Sequence, residues 1–240
     1  MQNNSVVLTI PGSWASRALL AASIHEHARN YRLDGDMRSN SDLLDGIRIR
    51  YQKGRRPKIV HDFSWSGAHW WETSDMRAVE RHASHVMLTA VAGSTEQMLR
   101  LMAAASAVIR AGGLGVHVEN VGIAHPPQQW LKFDSDGING AFRAFVVTVD
   151  AAVKGAYSCG MNCFGMKEVS VPIRTTDCLE AVGTVAWHLL VKGAPIRDGQ
   201  TLSIGAKAAP YSVCGVKTVV DLDGLQFYSQ IGTWQLDPRV

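Results

Sequence analysis

The sequence predicts an α+β fold in a single domain spanning 1–240, with a mixed or mainly antiparallel sheet and helices packed on it. Three observations lead there. Segments of strand period alternate with segments of helical period, short turns join them, and no repeat or low-complexity linker divides the 240 residues. At 46% hydrophobic and 19% charged, the chain lies far from the regime in which ordering entropy cannot be offset, so it should fold alone.

Ser5 to Ile10 forms a strand, broken by Pro11-Gly12, and Ser13 is placed to cap a helix from Trp14 to about Arg29. From about 33 to 58 the chain becomes a charged, exposed segment in which Asp34, Asp36, Asp42 and Asp45 give way to Arg48, Arg50, Lys53, Arg55, Arg56 and Lys58. Ile47, Ile49 and Tyr51 alternate with Arg48 and Arg50 at strand period, which favours an exposed hairpin over an anion-binding patch. Ile59 to Phe63 reads as a short strand leading into Trp65, Trp70 and Trp71, and a helical turn or two falls between Asp75 and Arg81.

His85 to Ala92 is an apolar strand, and Ser94 with Gln97 forms a capping box for a helix. Met98, Leu101, Met102, Ala105, Val108 and Ile109 share one face of that helix. Gly112-Gly113 ends it, and Leu114 to Val118 is the next strand, which completes a β-α-β unit. Pro126-Pro127 opens a short helix carrying Trp130, Asp134 to Gly140 is a turn, and Phe142 to Val149 and Val169 to Ile173 are strands. Asp177 with Glu180 caps a helix to Lys192, with Val182, Val185, Ala186 and Leu189 buried. Short strands at Thr201 to Ile204, Lys217 to Leu222 and Leu225 to Ser229 close the chain, the last two joined by an Asp223-Gly224 turn.

The formal charge of +3 and pI near 8.7 are only mildly basic, so composition points away from a nucleic-acid partner. The apolar run Val6 to Ile10 is too short for a secretory leader, and Leu99 to Ile109 is too short to span a bilayer. The expectation is a cytoplasmic protein without a membrane partner. In that compartment Cys159, Cys163, Cys178 and Cys214 are reduced thiols, and the spacing of Cys159 and Cys163 does not match a zinc knuckle.

The glycines of Ala111-Gly112-Gly113-Leu114-Gly115 close a helix and open a strand, the reverse of a phosphate-binding loop, so no nucleotide cofactor is expected. The pairs His82/His85 and His25/His27 do not match a metal-binding His-Glu-x-x-His helix, so no metal is expected either. Cys159, with His125 and Glu119, is the one set that would suit a nucleophile, a base and a supporting carboxylate, provided that the three converge in a pocket. Trp65, His69, Trp70 and Trp71 serve either as core or, if exposed, as anchors of a binding surface rimmed by Arg48, Arg50, Arg55 and Arg56. Besides a nucleic-acid or phosphate contact through Arg48, Arg50, Lys53, Arg55, Arg56 and Lys58, which the mild net charge disfavours, two readings follow. One is a non-enzymatic protein that binds and occludes a partner protein through these residues. The alternative is a small hydrolase or transferase built on Cys159, His125 and Glu119.

Several strings, in order, resemble a bacterial family, domain of unknown function 4261. They are Ile10-Pro11-Gly12-Ser13-Trp14, then Ala111 to Asn120 with Gly122-Ile123-Ala124-His125, then Tyr157-Ser158-Cys159-Gly160-Met161 with Phe164-Gly165, and Gly232-Thr233-Trp234-Gln235-Leu236. The resemblance spans nearly the whole chain and implies a bacterial cytoplasmic protein with no assigned activity. By analogy with other families of this size it implies an immunity role beside a secreted toxin. At Asn162-Cys163 the chain departs from the family's usual His-Asn, which weakens any catalytic or metal reading of that turn.

Overall fold

A computed structural model describes residues 5–28, 31, 33–34, 42–44, 46–152, 155–173, 175–204, 210–216, 219–222, 225–228 and 231–239. The chain divides into two compact units, 1–144 and 145–240, where the sequence reads as one domain. No linker composition marks the division because it falls at the end of a helix, Ile138–Phe145, with a strand starting at Val147.

The first unit runs β1 (Ser5–Gly12), α1 (Arg17–His27), β2 (Leu33–Asp34), β3 (Asp42–Leu44), β4 (Ile47–Lys53), α2 (Pro57–Trp65), α3 (Ser74–Glu80), β5 (Ser84–Val91), α4 (Thr95–Arg110), β6 (Val116–Val118), β7 (Ile123–His125), α5 (Pro127–Ser135) and α6 (Ile138–Phe145). Among the described residues its strands form one sheet in the order β2-β3-β4-β5-β1-β6-β7, every neighbour antiparallel. Both β5 and β6 pair with β1, so the predicted β-α-β unit exists in split form with β1 between its strands. The series β1-α1-β4-β5-α4-β6, ordered β4-β5-β1-β6, is the ferredoxin-like arrangement.

Alternation along the strands separates the two faces. Val6, Leu8 and Ile10 of β1, with Val86 and Leu88 of β5, are fully buried on the face against which α4 packs. Ser94 caps α4 as predicted, its Oγ accepting from Gln97 N at 3.1 Å. The carbonyl of Ala111 beyond α4 accepts from Trp14 Nε1 at 2.7 Å and from Ser23 Oγ at 3.0 Å, which ties α1 to the end of α4. The opposite face carries Thr9, Met87, His85, His117 and the arginines of β4, and α2 lies across part of it.

The second unit holds β8 (Val147–Asp150), β9 (Ala156–Cys159), β10 (Glu168–Val171), α7 (Cys178–Val191), β11 (Thr201–Leu202), β12 (Tyr211–Val216), a hairpin of β13 (Val219–Leu222) and β14 (Leu225–Tyr228), and β15 (Thr233–Pro238). Its main sheet, β11-β12-β15-β10-β9-β8, is mixed, since β10 and β15 are parallel and the other pairs antiparallel. Helix α7 packs on β8, β9 and β10 through Ala181, Val182, Val185 and Ala186. Between β9 and β10 a 3-10 turn, Met161–Phe164, is bracketed by Gly160 (φ 114°) and Gly165 (φ 76°), conformations open to glycine. The Glu168 carboxylate holds this turn, accepting from Gly160 N at 3.0 Å, Asn162 N at 3.2 Å and Ser158 Oγ at 2.6 Å.

Four local expectations are corrected. The first helix is capped by Ser16, not Ser13, because β1 continues through Gly12. Ile59 to Phe63 is helical, and Phe142 to Phe145 ends α6 before β8 begins. Asp177 makes no side-chain cap on α7; its Oδ1 accepts from Tyr211 OH at 2.9 Å. The Asp223-Gly224 turn and Lys217 lie outside the described residues.

Candidate functional site

Helix α2 organises the candidate site. Ile59 and Val60 suggest a strand, yet Pro57 at the first helical position presets the backbone, and Lys58–Asp62 pair one turn apart at 2.7 Å. Ile59 and Phe63, four residues apart, face inward onto Trp70, Met76, Val79 and Ala124. His61 and Trp65 therefore face outward.

This geometry splits the predicted aromatic cluster. Trp70 is not a surface anchor: it is fully buried, edge-on to Phe63 at 4.8 Å, with Nε1 donating to Ala124 O at 3.2 Å. Trp65 and Trp71 are 77% and 66% exposed. Each is braced, Trp65 by stacking on His61 at 5.6 Å and Trp71 by donating Nε1 to Ser64 O at 3.0 Å. His69 is exposed and meets Trp70 edge-on at 5.5 Å. The two outer indoles thus form a held ridge at the end of α2.

The arginines belong to the same unit. Arg48 and Arg50 are exposed on β4, on the face that also carries Met87 and Thr9, while Ile47 and Ile49 are buried on the other. Arg55 Nε donates to Glu80 O at 2.7 Å. The Arg56 backbone N–H donates at 2.9 Å to His82 Nε2, whose Nδ1 donates to Val79 O at 2.6 Å. From Gly46 to His61 the sequence has Arg48, Arg50, Lys53, Arg55, Arg56 and Lys58 and no Asp or Glu.

Where α2 crosses the sheet it leaves a polar cleft of about 100 Å³ lined by Thr9, Arg56, Lys58, Asp62, Met87 and Glu119. Thr9 Oγ1 donates to Glu119 Oε1 at 2.5 Å across 110 residues of sequence. His85 and His117 are buried beside the cleft, and burial is the main cause holding both imidazoles below their ordinary pKa. Sequence reasoning missed Thr9, Asp62 and Met87, because only strand register brings them together.

The alternative set fares differently. Glu119 is exposed at the end of β6, and His125 sits in β7 against Trp130 and Phe133 with Nε2 donating to Ala144 O at 3.0 Å. Cys159 belongs to the second unit, where burial, and then the neighbouring Glu168, pushes its thiol up to about 12. A thiol held neutral at pH 7 lacks the thiolate that a nucleophile needs. Cys163 is pushed up to about 12 for the same first reason.

Burial lowers His125 from 6.5 to about 4. Between these values the unfolded chain binds a proton that the folded chain refuses, so stability is full above pH 6.5 and falls as pH drops toward 4. The displacement corresponds to on the order of 3 kcal/mol. Urea midpoints measured from pH 7 to pH 4 should fall for the wild type and fall less for His125→Gln; an equal fall in both would mean that other groups dominate.

Among the described residues no group of three or more His, Cys, Asp or Glu is placed to hold a metal ion, and no helix is long and apolar enough to cross a membrane. No family model, curated protein or solved structure matches the chain.

Proposed function

We propose that this is a non-enzymatic binding protein of the bacterial cytoplasm that docks an acidic partner protein on the Trp65–Trp71 ridge. The observation that carries the reading is the pair of braced, exposed indoles at the end of α2, which in sequence follow a run of six cations, 46 to 61, that contains no Asp or Glu. Exposed Trp is an enriched anchor at interface centres because it covers a large apolar area at low entropic cost. The cations Arg48, Arg50, Arg55 and Arg56 would steer an acidic surface toward it and make association sensitive to salt. The concrete form of this role is an immunity or adaptor protein that occludes a toxin or effector, such as a type VI secretion cargo. That form rests on the resemblance to domain of unknown function 4261.

The test is selection from a display library of random peptides against the full-length chain. Selected sequences should carry an aromatic or aliphatic anchor among Asp and Glu, and a Trp65→Ala/Trp71→Ala variant should lose them by about 2 kcal/mol, roughly 30-fold, while its urea midpoint stays unchanged. Selection of basic peptides, or retention of the same peptides by the double variant, would refute the reading.

A further inference from the structure

We infer that the cleft beneath α2 binds a small zwitterion of the α-amino acid class, its carboxylate on Arg56 and its ammonium on Glu119. The charges of the cleft lead to this chemistry. Asp62 is already neutralised by Lys58 at 2.7 Å. Among the described residues no carboxylate lies within ion-pair range of the Arg56 guanidinium, whose planar fork matches a carboxylate in a bidentate pair. Glu119 accepts one hydrogen bond, from Thr9, out of the roughly four its carboxylate can take. The two unspent charges are thus opposite in sign and line one small space. A simple anion would meet Glu119 there, and a simple cation would meet Arg56. A molecule carrying both charges satisfies both.

A second observation comes from His85. It is 3% exposed, and neither Nδ1 nor Nε2 makes a hydrogen bond of good geometry, the Gly54 backbone being the polar group that acts on the ring. A buried imidazole whose ring nitrogens are poorly satisfied is costly, so a polar group brought to it is favoured. The register pairs Pro11 with His85 and Thr9 with Met87, so His85 lies on the same face as the cleft-lining Thr9 and Met87, one pleat further along. Burial first, then the charges of Arg56 and His82, holds its pKa below the ordinary value, against smaller opposing effects of the Gly54 backbone and Glu119; a neutral imidazole has one donor and one acceptor to offer. The cleft is small, about 100 Å³, which suits an amino acid with a short side chain.

The experiment is calorimetric titration of the full-length chain with glycine, L-alanine and L-serine, and in parallel with acetate, inorganic phosphate and methylammonium. At least one zwitterion should bind, at least about tenfold more tightly than any of the three single-charge probes. Arg56→Gln and Glu119→Gln, both exposed and so compatible with folding, should each remove that binding. Trp65→Ala/Trp71→Ala should leave it intact, which separates this site from the docking ridge. No heat with any zwitterion, acetate or phosphate binding as tightly as alanine, or binding unchanged in both cleft variants would each overturn the assignment.

Discussion

Trp70→Ala should destabilise the protein by about 3–5 kcal/mol, a large share of the ~5–15 kcal/mol that holds a typical domain folded. Trp70 is among the largest fully buried side chains and fills the space between α2, α3 and the sheet. Its removal leaves a cavity that Phe63 and Met76 cannot fill without leaving their own contacts. It also leaves Ala124 O without its 3.2 Å indole donor. The strand beneath has been shaped around it. A Cβ at Gly115 would lie 2.8 Å from Phe63 and 3.0 Å from Trp70, so only glycine lets β6 begin so close to these rings. Urea unfolding of Trp70→Ala, set beside Trp65→Ala, should show a much lower midpoint for the first and a near-native one for the second. Equal midpoints would mean that the two indoles do not divide between core and surface.

That division was only partly legible in the sequence. Three indoles within seven residues announce an aromatic cluster, but deciding which one points inward requires the helical phase of α2 and the turn that follows. The phase was hidden because Ile59 and Val60, being β-branched, favour a strand, while Pro57 and the Ile59/Phe63 spacing favour a helix. Elements with an unambiguous period or cap were readable, as with β4, where Ile47 and Ile49 are buried between exposed Arg48 and Arg50, and α4, where Ser94 caps. The cleft was not readable at all. Its Thr9 and Glu119 meet through the β1–β6 register, and Met87 joins them through β1–β5, so their closeness is a property of strand order rather than of spacing. The same holds for the second sheet: nothing in the run Phe142 to Val149 marks where α6 gives way to β8, since apolar residues suit both.

Gly140→Ala should be more damaging still, at about 4 kcal/mol or more, the range reserved for steric conflict with fixed backbone. Helix α6 crosses the last turn of α5 so closely that a Cβ at residue 140 would sit 1.7 Å from the Phe133 carbonyl oxygen and 2.5 Å from its carbon. Real Cβ contacts do not fall below 3.0 Å, and the obstacle is backbone, so the helix itself must move. Moving it drags Ala141 and Ala144, both fully buried, out of register with their neighbours. It also displaces the Ala144 carbonyl that accepts from His125 Nε2. Gly137→Ala is the control three residues earlier. It has φ +58° but nothing within 4 Å of its added Cβ, so it should cost only the ~1–2 kcal/mol of a left-handed L-residue. Urea unfolding of the two variants separates the causes: a mild loss for Gly137→Ala and collapse of the folded baseline, or no soluble protein, for Gly140→Ala. If Gly140→Ala unfolds within about 1 kcal/mol of wild type, α5 and α6 do not pack backbone to backbone and the helix pair that holds His125 is placed wrongly.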